Sequence, residues 1–162
     1  MSGQVISIHV ADKAGGPLSA LETAELTAGR GIVSDRHYFR PDMEPKRELT
    51  LIESEQIELL NRDSGLDLSP EECRRNIVTR GIRLNDLVGR EFRLGAVRLR
   101  GMELCEPCAY LADLLHQQGR LGDLTRPEFV ARLTHRAGLR ARVLDGGMLS
   151  AGDLFGSAGD GV

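Results

Sequence analysis

The chain has 162 residues, which suits one compact domain and leaves little room for two. Its net charge of −3 and its 4% aromatic content, without any tryptophan, argue against a nucleic-acid partner. Such a partner would call for surplus basic charge or for aromatic stacking platforms. No apolar run approaches the roughly 20 residues that span a bilayer, and the first residues lack the features of a signal peptide. We therefore expect a cytoplasmic protein with no membrane partner and with its three cysteines reduced.

The N-terminal half predicts short strands around a long polar loop. Val5–Val10 is rich in β-branched residues and indicates a strand, which a turn at Gly15-Gly16-Pro17 closes. The segment 29–46 contains glycines and prolines with little hydrophobic period, which is typical of a functional loop that includes at most a short strand. Leu49–Ile52 predicts a buried strand.

The middle of the chain changes period and predicts one helix and two further short elements. Ile57, Leu59 and Leu60 lie on one face of a helix that starts after Glu53 and ends before Gly65. Ser69-Pro70-Glu71-Glu72 is a helix-start signal, and the brief turn it opens gives way to a strand over 76–79.

The C-terminal half predicts two hairpins on either side of two helices. Residues 92–100 alternate apolar side chains with arginine around a glycine turn, which indicates a half-exposed hairpin. Helices are expected to start at Pro107 and after Thr125, and 139–149 predicts a closing hairpin. These elements favour a mainly β fold, a β-barrel with a few short capping α-helices, as one domain over 1–156 followed by a flexible tail over 157–162.

Cys108 is the leading candidate for chemistry. It follows Pro107 at the start of a helix, where unpaired backbone N–H groups and the helix dipole favour the thiolate over the thiol. A thiolate can attack an electrophile, carry a persulfide or bind a soft metal. The alternative, that Cys108 is a small buried hydrophobic residue, stays open at this point.

The spacing of Cys105 and Cys108 matches half of a zinc site, but the sequence offers no second half. Cys73 stands alone, and His116 and His135 do not form a ligand pair. Glu106, between the two cysteines, is suited either to orienting one of them or to facing solvent at the helix start.

Two polar segments are candidates for holding an anion and for moving protons. Arg74-Arg75-Asn76, with Thr79 beyond it, offers guanidinium, amide and hydroxyl donors for a phosphate. In Asp35-Arg36-His37 an acid, a fixed cation and a titratable imidazole follow one another. Either segment alone also fits a solvated charge cluster.

Taken together and in this order, these pieces resemble the MOSC domain, a module related to the C-terminal part of molybdenum-cofactor sulfurases. The matching stretches are Gly31–His37, Leu49–Glu53, Arg74–Gly81, Leu84–Gly89, Gly101–Cys108 and Gly138–Asp153. The resemblance implies a β-barrel and a role with the molybdenum cofactor (molybdopterin). It also implies that Cys108 corresponds to the family's functional cysteine, which in the mitochondrial amidoxime-reducing component is similar in position to a molybdenum-ligating thiolate.

From the resemblance we expect an oxidoreductase of N-hydroxylated compounds in which Cys108 ligates the metal. Asp35 and His37 would join Cys108 as catalytic residues, and a separate electron-transfer protein would be the partner. Residues expected to hold the pterin and its phosphate are Arg36, Arg74, Arg75, Asn76 and Thr79. A sulfur-carrier or cofactor-delivery module, using a Cys108 persulfide and a sulfur-donor protein, is the second reading. The third is a binder of a phosphorylated ligand with no chemistry at Cys108.

Overall fold

A computed structural model of the chain describes residues 3–38 and 45–157. Its strands are β1 Gln4–Val10, β2 Ser19–Leu21, β3 Thr23–Thr27, β4 Gly31–Ile32, β5 Leu49–Glu53, β6 Ile77–Arg80, β7 Glu91–Leu94, β8 Val97–Leu104, β9 Leu139–Asp145, β10 Gly147–Ser150 and β11 Phe155–Ser157. Its α-helices are α1 Ser54–Ser64, α2 Ala109–Gln117 and α3 Arg126–Leu133, and 3₁₀ turns lie at Pro45–Arg47, Pro70–Cys73 and Leu84–Leu87. Strands thus predominate, as the sequence predicts.

Local signals in the sequence set the ends of the helices. The Thr125 hydroxyl accepts a hydrogen bond from the Glu128 amide, and the Glu128 carboxylate accepts one from the Thr125 amide, so a capping box starts α3. Gly65 ends α1 in the left-handed conformation, with φ of 67°. Ser69 and Glu72 form a second capping box at the short turn before β6. The predicted starts of α1 and α3 are confirmed, whereas α2 begins at Ala109, two residues after the predicted start at Pro107.

Among the described residues, eight strands form one sheet in the order β11-β7-β8-β9-β5-β6-β1-β2, and β10, β3 and β4 form a second sheet. All neighbours in the large sheet are antiparallel except β5 and β6, which are parallel and are joined through α1. Because β5 and β6 run in the same direction, their N-terminal ends meet at one edge of the sheet. The antiparallel pairing of β1 with β6 brings the end of β1 to that same edge. The end of β8 and the start of β9 lie beside Leu51, in the middle of β5.

The core consists of two hydrophobic clusters on opposite faces of the large sheet. Along β5, Leu51 packs into the cluster that also includes the inner residues of the small sheet. The next residue, Ile52, packs into the cluster formed with the helices, where Phe129 and Leu133 are almost fully buried. The alternation of a strand therefore divides its side chains between the two clusters.

The predicted barrel is not confirmed. Within residues 3–38 and 45–157 no ladder joins the outer strands β11 and β2. The segment before β11 reaches β1 through an isolated bridge between Gln4 and Leu154 and a few backbone hydrogen bonds. The structure supports a mainly β fold with three α-helices in the described residues.

One prediction near the C-terminus is wrong. The expected hairpin over 139–149 does not form, because β10 pairs with β3 and leaves β9 in the other sheet. A Cβ on Gly146 would lie 2.3 Å from the Leu26 carbonyl oxygen, so glycine lets the chain cross closely over β3 at this point. The tail over 157–162 stays a prediction, although the backbone of its first residue, Ser157, pairs with Phe92 of β7. Residues 158–162 lie outside the described residues.

Candidate functional site

A pocket of about 510 Å³ lies beside the segments that follow β1 and β8 and the segment that precedes β6, with Thr50 of β5 and Arg140 of β9 in its wall. Its wall includes Cys105, Cys108, Asp35, Arg36, His37, Arg74, Arg75, Asn76 and Arg140, and an apolar side formed by Ala11, Ala14, Leu18, Tyr110 and Leu111. Thr50 and Gly15 complete the lining. Segments far apart in sequence therefore converge, and most of the residues predicted for the site are among them.

Cys108 lies at the N-terminal end of α2. It is the N-cap residue of the helix, with extended backbone angles, and its thiol is exposed while those of Cys73 and Cys105 are buried. Exposure within a pocket rules out the alternative of a buried hydrophobic residue. Burial raises the pKa of Cys73 to about 11, so that thiol is unsuited to act as a nucleophile near neutral pH.

The pocket is rich in guanidinium groups. Arg36, Arg74, Arg75 and Arg140 all line it, and within the described part of the chain none of them forms an ion pair with a carboxylate. Among the described residues of the lining, Asp35 is the one carboxylate, and it contacts His37. The described part of the wall therefore carries excess positive charge, which favours an anionic ligand.

Arg74 and Arg75 already use part of their hydrogen-bonding capacity on the protein. Arg74 Nη2 donates to the Gly16 carbonyl oxygen at 2.7 Å. Arg75 Nε donates to the Ala137 carbonyl oxygen at 2.9 Å, and its Nη2 lies 3.4 Å from the Cys105 carbonyl oxygen. Arg75 thus ties the backbone near Cys108 to the segment before β9, while its charge remains at the pocket wall.

Asn76 is saturated by the framework. Its Oδ1 accepts from the Thr50 amide at 3.0 Å and from the Thr50 hydroxyl at 3.3 Å. Its Nδ2 donates to the His9 carbonyl oxygen at 3.0 Å and to Asp35 Oδ1 at 3.4 Å. Asn76 therefore joins the ends of β1 and β5 to the Asp35 loop, although it was predicted to contact a ligand.

Asp35, which is buried, and His37, which is half-buried, form an acid–imidazole pair in the pocket wall. His37 Nδ1 lies 3.4 Å from Asp35 Oδ2, and the amides of Ala11 and His37 also donate to the Asp35 carboxylate. Burial by itself raises the pKa of Asp35, but the hydrogen bond from the His37 side chain and those from the two amides outweigh it and lower the pKa below its usual value. Asp35 is therefore ionised at neutral pH and can hold the His37 ring with its second nitrogen available.

The structure does not bring Thr79 to the pocket. Thr79 is fully buried in β6, and its hydroxyl donates to the Ile52 carbonyl oxygen at 3.4 Å. Asn76 faces the pocket because it precedes β6, whereas Thr79 lies three residues further along and points into the core. Sequence reasoning missed Arg140 and Tyr110 at this site. The alternation of arginine in β9 and the position of Tyr110 two residues after Cys108 are the signals that point to them.

Glu106 contacts neither cysteine thiol. Its Oε1 accepts from the His135 amide at 2.7 Å, and its Oε2 lies 2.6 Å from His135 Nδ1. Within the described ranges no group of three or more His, Cys, Asp or Glu side chains is arranged to bind a metal ion together. None of the helices in those ranges has the length and apolar character needed to cross a bilayer.

A sequence profile of the MOSC domain matches residues 34–155, which include most of the pocket wall. The chain belongs to the MOSC domain family. The expected resemblance is confirmed, and the matched region contains Asp35, the arginines at 74 and 75, and Cys108.

Solved structures agree with this assignment at the level of the fold. The YuaD protein from Bacillus subtilis superposes with a TM-score of 0.81 at 17% identity, covering 96% of this MOSC domain chain and 94% of YuaD. YiiM from Geobacillus stearothermophilus gives a TM-score of 0.69 at 17% identity, covering 99% of this chain and 77% of YiiM. YiiM from Escherichia coli gives 0.61 at 19% identity, covering 96% and 69%. No curated protein matches the sequence of this MOSC domain.

Proposed function

We propose that this MOSC domain binds a molybdenum cofactor through the Cys108 thiolate and reduces N-hydroxylated compounds. The observation that carries the proposal is one exposed thiol in a pocket of about 510 Å³ with four guanidinium groups in its wall. MOSC domains are commonly associated with the molybdenum cofactor. The residues present fit that group, because a thiolate is a suitable soft ligand and arginines suit a phosphorylated pterin.

Each part of the pocket has a distinct role in this proposal. Cys108 would supply the sulfur ligand, and Arg36, Arg74, Arg75 and Arg140 would neutralise the phosphate and orient the pterin. A bound molybdenum cofactor supplies two-electron redox chemistry. The Thr79 hydroxyl has no part in the proposal, because it is spent on the Ile52 carbonyl inside the core.

Asp35 and His37 provide for proton delivery. Reduction of an N-hydroxylated compound breaks the N–O bond and consumes two electrons and two protons, with water as the leaving group. The electrons would come from a separate electron-transfer protein. Asp35 holds His37 Nδ1, which leaves Nε2 to donate a proton to the departing oxygen. The ring is 21% exposed, so it can exchange protons with solvent.

A second candidate is a sulfur carrier in which Cys108 holds a persulfide for transfer from a sulfur-donor protein. The exposure of the Cys108 thiol favours it, because a carrier sulfur must be reached by both donor and acceptor. The same positive wall would stabilise the persulfide anion. This reading needs no pterin in the pocket.

Metal and pterin analysis of protein made in a cofactor-competent host tests the proposal. We expect about one molybdenum and one pterin per chain, and loss of both in Cys108→Ala. The matched control is Cys73→Ala, a buried cysteine outside the pocket lining, which should retain both. Protein without molybdenum that carries a cyanide-labile sulfur at Cys108 would overturn the oxidoreductase in favour of the carrier. Phosphate binding that survives in Cys108→Ala, with neither molybdenum nor labile sulfur, would leave a simple binder of phosphorylated ligands.

A further inference from the structure

Two segments that meet beside the pocket hold Cys108 in place. The thiol loop, residues 105–108, follows β8 and contains the cysteine. The clasp segment, residues 134–138, connects α3 to β9. The Cys105 amide donates to the Gly138 carbonyl oxygen at 2.8 Å, so the two segments run side by side.

The clasp segment is itself fixed to the sheet. Gly138 has φ of 115°, and a Cβ there would lie 1.9 Å from the Leu51 carbonyl oxygen, so this backbone packs directly on β5. At the other end, Asn85 Nδ2 donates to the His135 carbonyl oxygen at 2.9 Å. The clasp segment can therefore act as a rigid support for a neighbouring loop.

Glu106 is the side chain of the thiol loop that grips this support. Both of its carboxylate oxygens contact His135, at 2.7 Å to the amide nitrogen and 2.6 Å to Nδ1. His135 has φ of 64°, a left-handed conformation that a non-glycine residue adopts only where its surroundings hold it. This conformation presents the amide and the ring nitrogen to one carboxylate.

We infer that Glu106 is a positioning residue that holds the Cys108 thiol against the arginine-lined wall. The inference rests on the proposed function in that it concerns the same thiol. The Glu106 and His135 side chains are 42% and 70% exposed, so the pair contributes little to global stability. Its geometry instead restricts a loop whose one exposed thiol must face the pocket.

The position of the thiol can be measured by its choice between two alkylating reagents. Iodoacetate is an anion and iodoacetamide is neutral, and both react with the thiolate. The ratio of the iodoacetate rate to the iodoacetamide rate is therefore independent of the thiolate fraction. Four guanidinium groups near the sulfur should raise that ratio about tenfold above its value for free cysteine at low salt. The excess should shrink as salt screens the pocket.

When Glu106 is removed, a positioning role and a simple charge effect change the alkylation ratio in opposite directions. Deleting a carboxylate near the thiol makes the surroundings more positive, which alone would raise the ratio. If Glu106 positions Cys108, Glu106→Ala releases the loop and the ratio falls at least threefold toward that of free cysteine. Glu106→Gln keeps an acceptor for the His135 amide and offers a side-chain N–H to His135 Nδ1, so both contacts can persist. It should keep the wild-type ratio or exceed it.

Asp113→Ala is the matched control. Asp113 is an exposed carboxylate on α2, 48% exposed and 3.1 Å from Arg126, so its loss removes the same charge without touching the clasp. Its ratio should not fall. The melting temperature of every variant is measured alongside, and we expect Glu106→Ala to melt close to the wild type.

A ratio that is unchanged or raised in Glu106→Ala would overturn the inference. Should Glu106→Ala not fold, His135→Gly tests the same contact from the other side, since glycine accepts φ of 64° and removes only the ring. It should lower the ratio too, and an unchanged ratio would again overturn the inference. The assay uses protein without bound cofactor. If the ratio falls in Glu106→Ala but protein from a cofactor-competent host holds no molybdenum, the positioning role is kept and the proposed function is rejected. If the ratio does not fall but molybdenum is bound through Cys108, the proposed function is kept and the positioning role is rejected.

Discussion

Replacing Asn76 with alanine should destabilise the protein strongly, because one amide joins three segments at the pocket edge. The substitution removes the acceptor for the Thr50 amide and the donor for the His9 carbonyl oxygen, both at 3.0 Å. It also removes the weaker contact to Asp35, at 3.4 Å. Each orphaned backbone group costs about 1–3 kcal/mol when water cannot replace its partner. The site is half-buried, so we expect the lower part of that range for each group, a total of roughly 2–3 kcal/mol.

Urea unfolding followed by circular dichroism measures this loss directly. For a chain of this length each kcal/mol lowers the melting temperature by about 2–4 °C, so Asn76→Ala should melt roughly 4–12 °C below the wild type. The m-value should stay constant, because the surface exposed on unfolding is the same. Thr50→Ala removes the hydroxyl that donates to Asn76 Oδ1 at 3.3 Å and accepts from the Asn76 amide at 3.1 Å, and it leaves the Thr50 amide in place. The contact between this hydroxyl and Asn76 Oδ1 is lost in both single variants. The double variant should therefore lose at least about 0.5 kcal/mol less than the sum of the two single losses.

Asn85→Ala is the control for losing an asparagine side chain. Its Nδ2 makes one exposed contact, to the His135 carbonyl oxygen at 2.9 Å, so the loss should be below about 1 kcal/mol. A loss for Asn76→Ala no larger than that of Asn85→Ala would refute the view that Asn76 is a framework residue. Its side chain would then be available to a ligand, as the sequence alone suggested.

Three further outcomes follow from burial and backbone geometry. Burial raises the pKa of Glu48 in the folded protein, although the Val143 amide and Arg142 act against it. Ionisation of Glu48 therefore destabilises the fold as the pH rises through the pKa of the unfolded state and then that of the folded state. Glu48→Gln should therefore be more stable than the wild type at pH 7–8 in thermal melts, and the difference should vanish below about pH 4; a constant difference would contradict this. In native protein, iodoacetamide should modify one cysteine, Cys108, by mass spectrometry, and all three in urea; native modification of a second would contradict the burial of the other two. Gly138→Ala should lower the free energy of unfolding in urea by about 3 kcal/mol or more, because its Cβ would strike a β5 carbonyl oxygen. A loss of about 1 kcal/mol, which is ordinary for a left-handed residue, would show that the contact can relax.

The basic wall and the clasp have different consequences for the thiol. The four guanidinium groups set the charge that a ligand meets, and they are distributed over three separate segments. Glu106 sets where the sulfur stands relative to them, through a contact outside the pocket. A substitution can therefore alter the charge without moving the sulfur, or move the sulfur with little change in stability, and the alkylation ratio distinguishes the two.

Local signals in the sequence were sufficient for most of the secondary structure. Thr125 with its capping box, Gly65 in the left-handed conformation and the Ser69 turn each act within a few residues, so their effect can be predicted without the rest of the chain. The placement of Cys108 at a helix start is of the same kind, and the structure has it as the N-cap of α2. The family resemblance also rested on the order of such local pieces.

Tertiary structure decided which strand pairs with which, and therefore what each polar side chain contacts. Adjacent strands 139–145 and 147–150 fit a hairpin by local pattern, yet β10 pairs with β3, because register and partner depend on burial across the whole sheet. The same holds for Thr79, whose hydroxyl donates to a backbone carbonyl of β5. It also holds for Asn76, whose side-chain amide is hydrogen-bonded to the backbones of β1 and β5. The local sequence does not indicate whether a side-chain donor will bond to a backbone carbonyl or to a ligand. The sequence alone therefore predicted the thiol and three of the four arginines in the wall. Only the fold placed Arg140 among them and decided which neighbouring side chains remain available to a ligand.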